Sequence, residues 1–308
     1  MNKRRFLKVQ ALILVLAGAT APPFMAAPRL RIAASIFPLK EFAAAVAGER
    51  AEVDMLLPPG AGVHTWQPTA GDILKISRAD LVVCAGAGLE PWLDDIFKGI
   101  GAGGPDVLVA ARDLPLLEAG GGEGHGHEGH GRADPHFWLD FEIDQGIIER
   151  IVEALARLDP EGGPAYRNNG NAYKARLREL DRKFKEGLKS CRGRTVVVAG
   201  HAAFGYLARK YDLRQVALYG LSPDSQPTPR RTIEVTELAR KMGVRTIFFE
   251  NSVPPDLART VAGEIGARTI GLHAGHNLSR AEMMKAMTFF DIMEINLGNL
   301  KNGLDCGS

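Results

Sequence analysis

The chain has 308 residues, 45% of them apolar and 24% charged, a globular balance that excludes disordered, collagen-like and coiled-coil chains. Thirty-eight Lys and Arg against 36 Asp and Glu leave a formal charge of +2, which gives no electrostatic footprint for a nucleic acid. Three cysteines, Cys84, Cys191 and Cys306, are too few for a disulfide scaffold and lack metal-knuckle spacing.

Met1-Asn2-Lys3-Arg4-Arg5 is followed by an apolar run from Val9 to Ala21 and then by Pro22-Pro23. A basic start, a short apolar stretch and small residues predict a secretory signal peptide over 1–27, cleaved between 19 and 27. The run is shorter than the roughly 20 apolar residues a membrane span needs. The mature protein is therefore expected in the periplasm.

From Leu30, short strand-like runs alternate with helical stretches: Leu30–Ile36, Ala51–Leu57, Asp80–Ala85 and Asp106–Ala110 read as strands. Such alternation predicts βαβ units and a mostly parallel sheet, here in an N-terminal lobe over 28–160. Within it, 118–133 is rich in glycine and carries His125, His127 and His130. With no apolar face and a high ordering cost, this segment is expected to be a mobile surface loop that binds metal weakly.

Two helices follow. Asp144 is expected to cap the first, and Asp159-Pro160 stops it. The second falls within 161–191, where Tyr173, Leu177, Leu180, Phe184 and Leu188 form one narrow apolar stripe on a charged cylinder. It reads as a long linking helix. A second βα lobe, 192–308, has strands at Thr195–Ala199, Gln215–Tyr219, Thr246–Phe249 and Arg268–Leu272, and a last helix over Glu282–Leu300. The layout is an α/β protein of two lobes, whose ligands bind where strand C-terminal ends face the crevice.

Three histidines from remote positions fall just past strand ends: His64, His201 and His273. His136, in Asp134-Pro135-His136-Phe137-Trp138, is a fourth, held by a turn and an apolar segment. Neutral imidazoles suit zinc and late first-row metals, whereas oxygen donors favour manganese, calcium or magnesium. No HExxH, GxSxG or P-loop is present, and after the strand that ends before Gly86-Ala87-Gly88, Pro91 stands where a dinucleotide fingerprint needs its third glycine. Cys84 lies in an apolar strand and reads as core. Cys191 and Cys306 flank the second block, and the sequence leaves open whether they pair.

Taken together, these residues resemble the zinc/manganese solute-binding proteins of bacterial ABC importers, the ZnuA/TroA-like group. The likeness runs through Leu57-Pro58-Pro59-Gly60 to His64, Gln67-Pro68-Thr69 with Asp72, Gly88-Leu89-Glu90-Pro91-Trp92-Leu93, and Asp134-Pro135-His136-Phe137-Trp138-Leu139-Asp140. It continues in Gly200-His201-Ala202-Ala203-Phe204-Gly205-Tyr206-Leu207, Leu221-Ser222-Pro223-Asp224-Ser225-Gln226-Pro227-Thr228 and Ile247-Phe248-Phe249-Glu250. The resemblance implies two lobes joined by one rigid helix and a single interlobe metal, bound by His64, His136 and His201 and delivered to a membrane ABC permease. It also implies a monomer with no enzymatic turnover. Histidine at 201, where manganese members tend to carry a carboxylate, and the histidine-rich loop favour Zn2+ over Mn2+. In the fourth position the family often places an aspartate after the last strand; here stands Leu272-His273-Ala274-Gly275-His276. His273 is the expected fourth ligand, with Glu250, His276 or water as alternatives. Competing readings are a manganese binder of the same family, a surface adhesin of the same architecture, and a secreted zinc hydrolase using Glu250 as base.

Overall fold

In the computed structural model, residues 29–101, 103–118, 133–221, 228–251 and 254–307 are described. Residues 1–27, where a signal peptide is expected, lie outside them. Among the described residues, no helix is long and apolar enough to cross a membrane.

Strands β1 (Leu30–Ala34), β2 (Ala51–Met55), β3 (Leu81–Cys84) and β4 (Asp106–Val109) form a parallel sheet in the order β2-β1-β3-β4. Helices α1 (Phe37–Ala47), α2 (Ala70–Arg78) and α3 (Leu93–Ile100) lie between them in sequence. Every residue of β3 is buried, as a central parallel strand covered on both faces requires. Cys84 is part of this core.

Next come α4 (Phe141–Leu158) and α5 (Gly163–Lys189), and then β5 (Thr195–Val198), α6 (Gly205–Lys210), β6 (Arg214–Ala217), α7 (Pro229–Lys241), β7 (Thr246–Glu250), α8 (Asp256–Ile265) and β8 (Arg268–Leu272). The second sheet repeats the first in the order β6-β5-β7-β8, again all parallel. In each sheet the chain reverses its direction of travel beside the first strand, and the loops there form a natural binding crevice.

Helix α5 is 27 residues long, about 40 Å at 1.5 Å per residue. The whole expected stripe, Tyr173, Leu177, Leu180, Phe184 and Leu188, is buried. Gly170 lets α4 come close: a Cβ there would stand 2.6 Å from Val152 Cγ2. The core is continuous across the lobes. Phe42 of α1 packs edge-on against Tyr173 and Phe289, and Phe141 packs edge-on against Phe184, which stacks on Tyr211.

Three features differ from or complete the sequence expectations. Asp140, not Asp144, caps α4 by accepting from the Glu142 N–H, while Asp144 is buried inside the helix, where burial pushes its carboxyl well up. The single last helix is two, α9 (Arg280–Met284) and α10 (Phe289–Gly303). Ser279 with Glu282 and Thr288 with Asp291 each build a capping box, and Ala286 takes a left-handed φ of 51° between them. Cys191 and Cys306 are disulfide-bonded, tying the end of α5 to the end of the chain.

Candidate metal centre

His64 sits in the loop between β2 and α2. Gly60, at φ 78°, turns that loop, and Trp66 N–H donates to Gly62 O at 3.0 Å, so the imidazole hangs from a tight turn. His136 opens a short 3-10 turn, Phe137–Leu139, and is fully buried. Its backbone N–H and its Nδ1 both meet Asp134 Oδ1, at 2.9 and 2.8 Å. His201 follows β5 and is likewise buried, with Nδ1 standing 2.7 Å from Glu250 Oε2 at the end of β7.

These three imidazoles converge. One donor atom of each lies within 4.8 Å of the others. His136 Nε2 and His201 Nε2 are 3.2 Å apart. Ligand nitrogens about 2.05 Å from a tetrahedral zinc stand about 3.3 Å from one another, so this separation suits two zinc ligands. Asp134 draws the proton of His136 to Nδ1, which leaves its Nε2 lone pair facing His201; Glu250 stands 2.7 Å from His201 Nδ1, without hydrogen-bond geometry, and its negative charge favours the same tautomer there. A cation between them turns that opposition into attraction.

Burial pulls the His64 imidazole down to about 3; His136, His201 and His276 lower it further and Glu250 opposes them. Burial also lowers His136, against the pull of Asp134. His64 Nε2 is buried with no hydrogen-bond partner among the described residues. Both imidazoles are thus neutral donors at neutral pH.

The fourth expected residue, His273, lines the same cavity of about 380 Å³, beside Glu250, His276 and Glu282, but its donor atoms do not join the cluster of three. Its Nδ1 accepts from the Gly275 N–H at 2.9 Å, and its Nε2 faces Glu282 Oε1 at 3.6 Å. With Nδ1 engaged as an acceptor, the proton of the neutral ring sits on Nε2, and no lone pair remains for a metal. His276 also stays outside the cluster of three, but its donor atom is not engaged as that of His273 is. It is buried, its Nδ1 has no hydrogen-bond partner among the described residues, and that atom lies 3.9 Å from Glu250 Oε1. Burial lowers it to about 4, partly offset by Glu250.

The model of a known family, described as "ZnuA: Zinc-uptake complex component A periplasmic", matches residues 32–303. The chain belongs to this family. Among its relatives is the "High-affinity zinc uptake system protein ZnuA" of Bacillus subtilis, 33% identical over 284 residues that cover 90% of this chain and 88% of the relative. The "Zinc-binding lipoprotein AdcA" of Streptococcus pneumoniae is also 33% identical over 90% of this chain, which spans 56% of that longer protein. A solved structure, the Zn(II)-bound ZnuA-like domain of the same AdcA, superposes with a TM-score of 0.77 at 32% identity, covering 90% of this chain and 99% of the domain. Two parallel-sheet lobes and a long helix are thus the family architecture.

His125, His127 and His130 lie outside the described residues. The described residues on either side of them, Glu118 and Ala133, form an antiparallel bridge. Tyr206 of α6 holds this bridge: its hydroxyl accepts from Leu117 N–H at 2.9 Å and donates to Asp134 O at 3.0 Å. Sequence reasoning gave Asp134 only a turn role and Glu250 only an alternative one. An acid two residues before a candidate ligand histidine was the signal for the first; the approach of β7 to the loop after β5 has no local signal.

Proposed function

We propose that this protein captures a zinc ion outside the cytoplasm and delivers it to a membrane ABC permease. The observation that carries this reading is the facing pair of Nε2 atoms, His136 and His201, 3.2 Å apart and each backed by a carboxylate. His64 supplies the third ligand. For the fourth position the geometry favours His276 over the His273 expected from the sequence, because His276 Nδ1 is uncommitted and buried. Donors made of imidazole favour zinc over manganese. Asp134 and Glu250 supply, from behind the ligands, the negative charge that an all-imidazole set lacks.

The family is a solute-binding component of an uptake complex, and the chemistry is binding, not turnover. Glu250 faces His201 at 2.7 Å, an orienting rather than a water-activating position, which removes the hydrolase reading's base. Export through the signal peptide over 1–27, a monomeric state, an auxiliary metal-gathering role for His125, His127 and His130, and the division into lobes 28–160 and 192–308 around a linking helix within 161–191 complete the proposal. Replacing His201 by Ala tests it. Zinc affinity measured by chelator competition should fall at least a hundredfold, and unchanged affinity would remove His201 from the site.

A further inference from the structure

After β8 the chain crosses from the second lobe to the first, and its two ends are fastened to different bodies. At His273 it is held by the second lobe. The buried Asn296 of α10 accepts from His273 N–H and donates to His273 O, both at 2.8 Å. Gly275 then turns the chain at φ 79°, in a place where a Cβ would stand 3.0 Å from Met293 Cε and 3.4 Å from Trp138 Nε1. From His276 onward the partners belong to the first lobe. Phe37 N–H donates to His276 O at 2.9 Å, and Gly60 N–H donates to Leu278 O at 2.9 Å. Between them, the buried Asn277 spends both amide hydrogens on the loop that carries His64, donating to Pro58 O at 2.8 Å and Ala61 O at 2.9 Å. Its Oδ1 accepts from Leu278 N–H at 2.8 Å.

We infer that Asn277 is a positioning residue that fastens His276 and the His64 loop into one unit and thereby sets how fast the metal leaves. The inference rests on the metal-binding reading above. It divides the donors unequally. His64, His136 and His276 stay with the first lobe, whereas His201 and its orienting Glu250 belong to the second. Separation of the lobes takes one imidazole away and leaves three in place, provided that Asn277 holds. Without its two donated bonds the Pro58–Ala61 carbonyls face an unfilled space, and the His64 loop and His276 move independently.

The test is zinc dissociation into excess chromophoric chelator from the wild-type chain and from Asn277→Ala and Asn277→Asp. The aspartate keeps the shape and loses the donor pair, so both variants should release zinc roughly ten- to hundredfold faster, as expected for two lost buried hydrogen bonds. In excess cobalt(II), the d–d bands should keep their wild-type positions, because every ligand is still present. Lowered Tm with wild-type release would mean a purely structural role and would overturn the inference. A wild-type chain that takes up no tight zinc would instead defeat the metal reading itself. Hydrogen exchange on the unmutated protein gives an independent check: the Gly60 and Phe37 amides should be protected without metal, and a freely exchanging Gly60 amide contradicts the strap whatever the variants do.

Discussion

Two of the three imidazoles of the cluster stand beside a carboxylate that bears on which nitrogen they present. For His136 that group is Asp134, and for His201 it is Glu250. His64 lacks such a carboxylate and depends on burial, which holds it neutral down to about pH 3. Below the ordinary imidazole pKa of about 6.5, the unfolded chain takes a proton on His64 that the native state refuses. Native stability is therefore lost as pH falls from about 6.5 toward 3, at a cost of about 2 kcal/mol by pH 5. Denaturant melts of metal-free protein at pH 7 and pH 5 should show this loss, and His64→Gln should reduce it. An equal loss in the variant would mean that His64 does not titrate in this way. The three histidines that converge were singled out in the sequence, His64 and His201 by strand-end placement and His136 by its Asp-Pro turn. His273 also follows a strand end, yet stays outside that cluster. His273 and His276 lie three residues apart in one loop, and which faces the cavity's donors is decided by the turn at Gly275 and by the grip of Asn296 on His273.

At the scale of elements, periodicity located the strands and the long helix, but caps decided the boundaries. The apolar spacing of 282–300 continues through the break between α9 and α10, so periodicity alone merges them. The signal lay in two short motifs, Ser279-Arg280-Ala281-Glu282 and Thr288-Phe289-Phe290-Asp291, whose side chains satisfy the first free N–H groups of a new helix. Thr288 accepts from the Asp291 N–H at 3.2 Å, and its own N–H and hydroxyl meet Asp291 Oδ2 at 2.8 and 2.7 Å. Thr288→Ala should cost about 1 kcal/mol of unfolding free energy. An equilibrium denaturation midpoint unchanged from wild type would deny the cap its role in starting α10. Asp144 was misread for a related reason: several acids cluster at the start of α4, and only the fold shows that Asp140 turns back to the Glu142 N–H.

The whole molecule is two copies of one parallel-sheet plan set about a shared core. The doubled βα pattern was readable in the sequence, since each strand is short, apolar and followed by helical spacing. The continuity of the core was not, because it depends on residues as distant as Phe42, Tyr173 and Phe289 meeting edge to face. The helices α1, α4, α5 and α10 pack together, while on the crevice side His201 meets His136 and the strap of 276–278 crosses. The disulfide between Cys191 and Cys306 closes the far end of the second lobe and suits an oxidising compartment. The central claim is that this crevice is a site for one zinc ion. It is tested most directly by titrating zinc and manganese into chelator-stripped protein against a competing chromophoric chelator. One tight equivalent of zinc, with manganese weaker by orders of magnitude, is the expected result; manganese bound as tightly as zinc, or no tight equivalent of either, would contradict it.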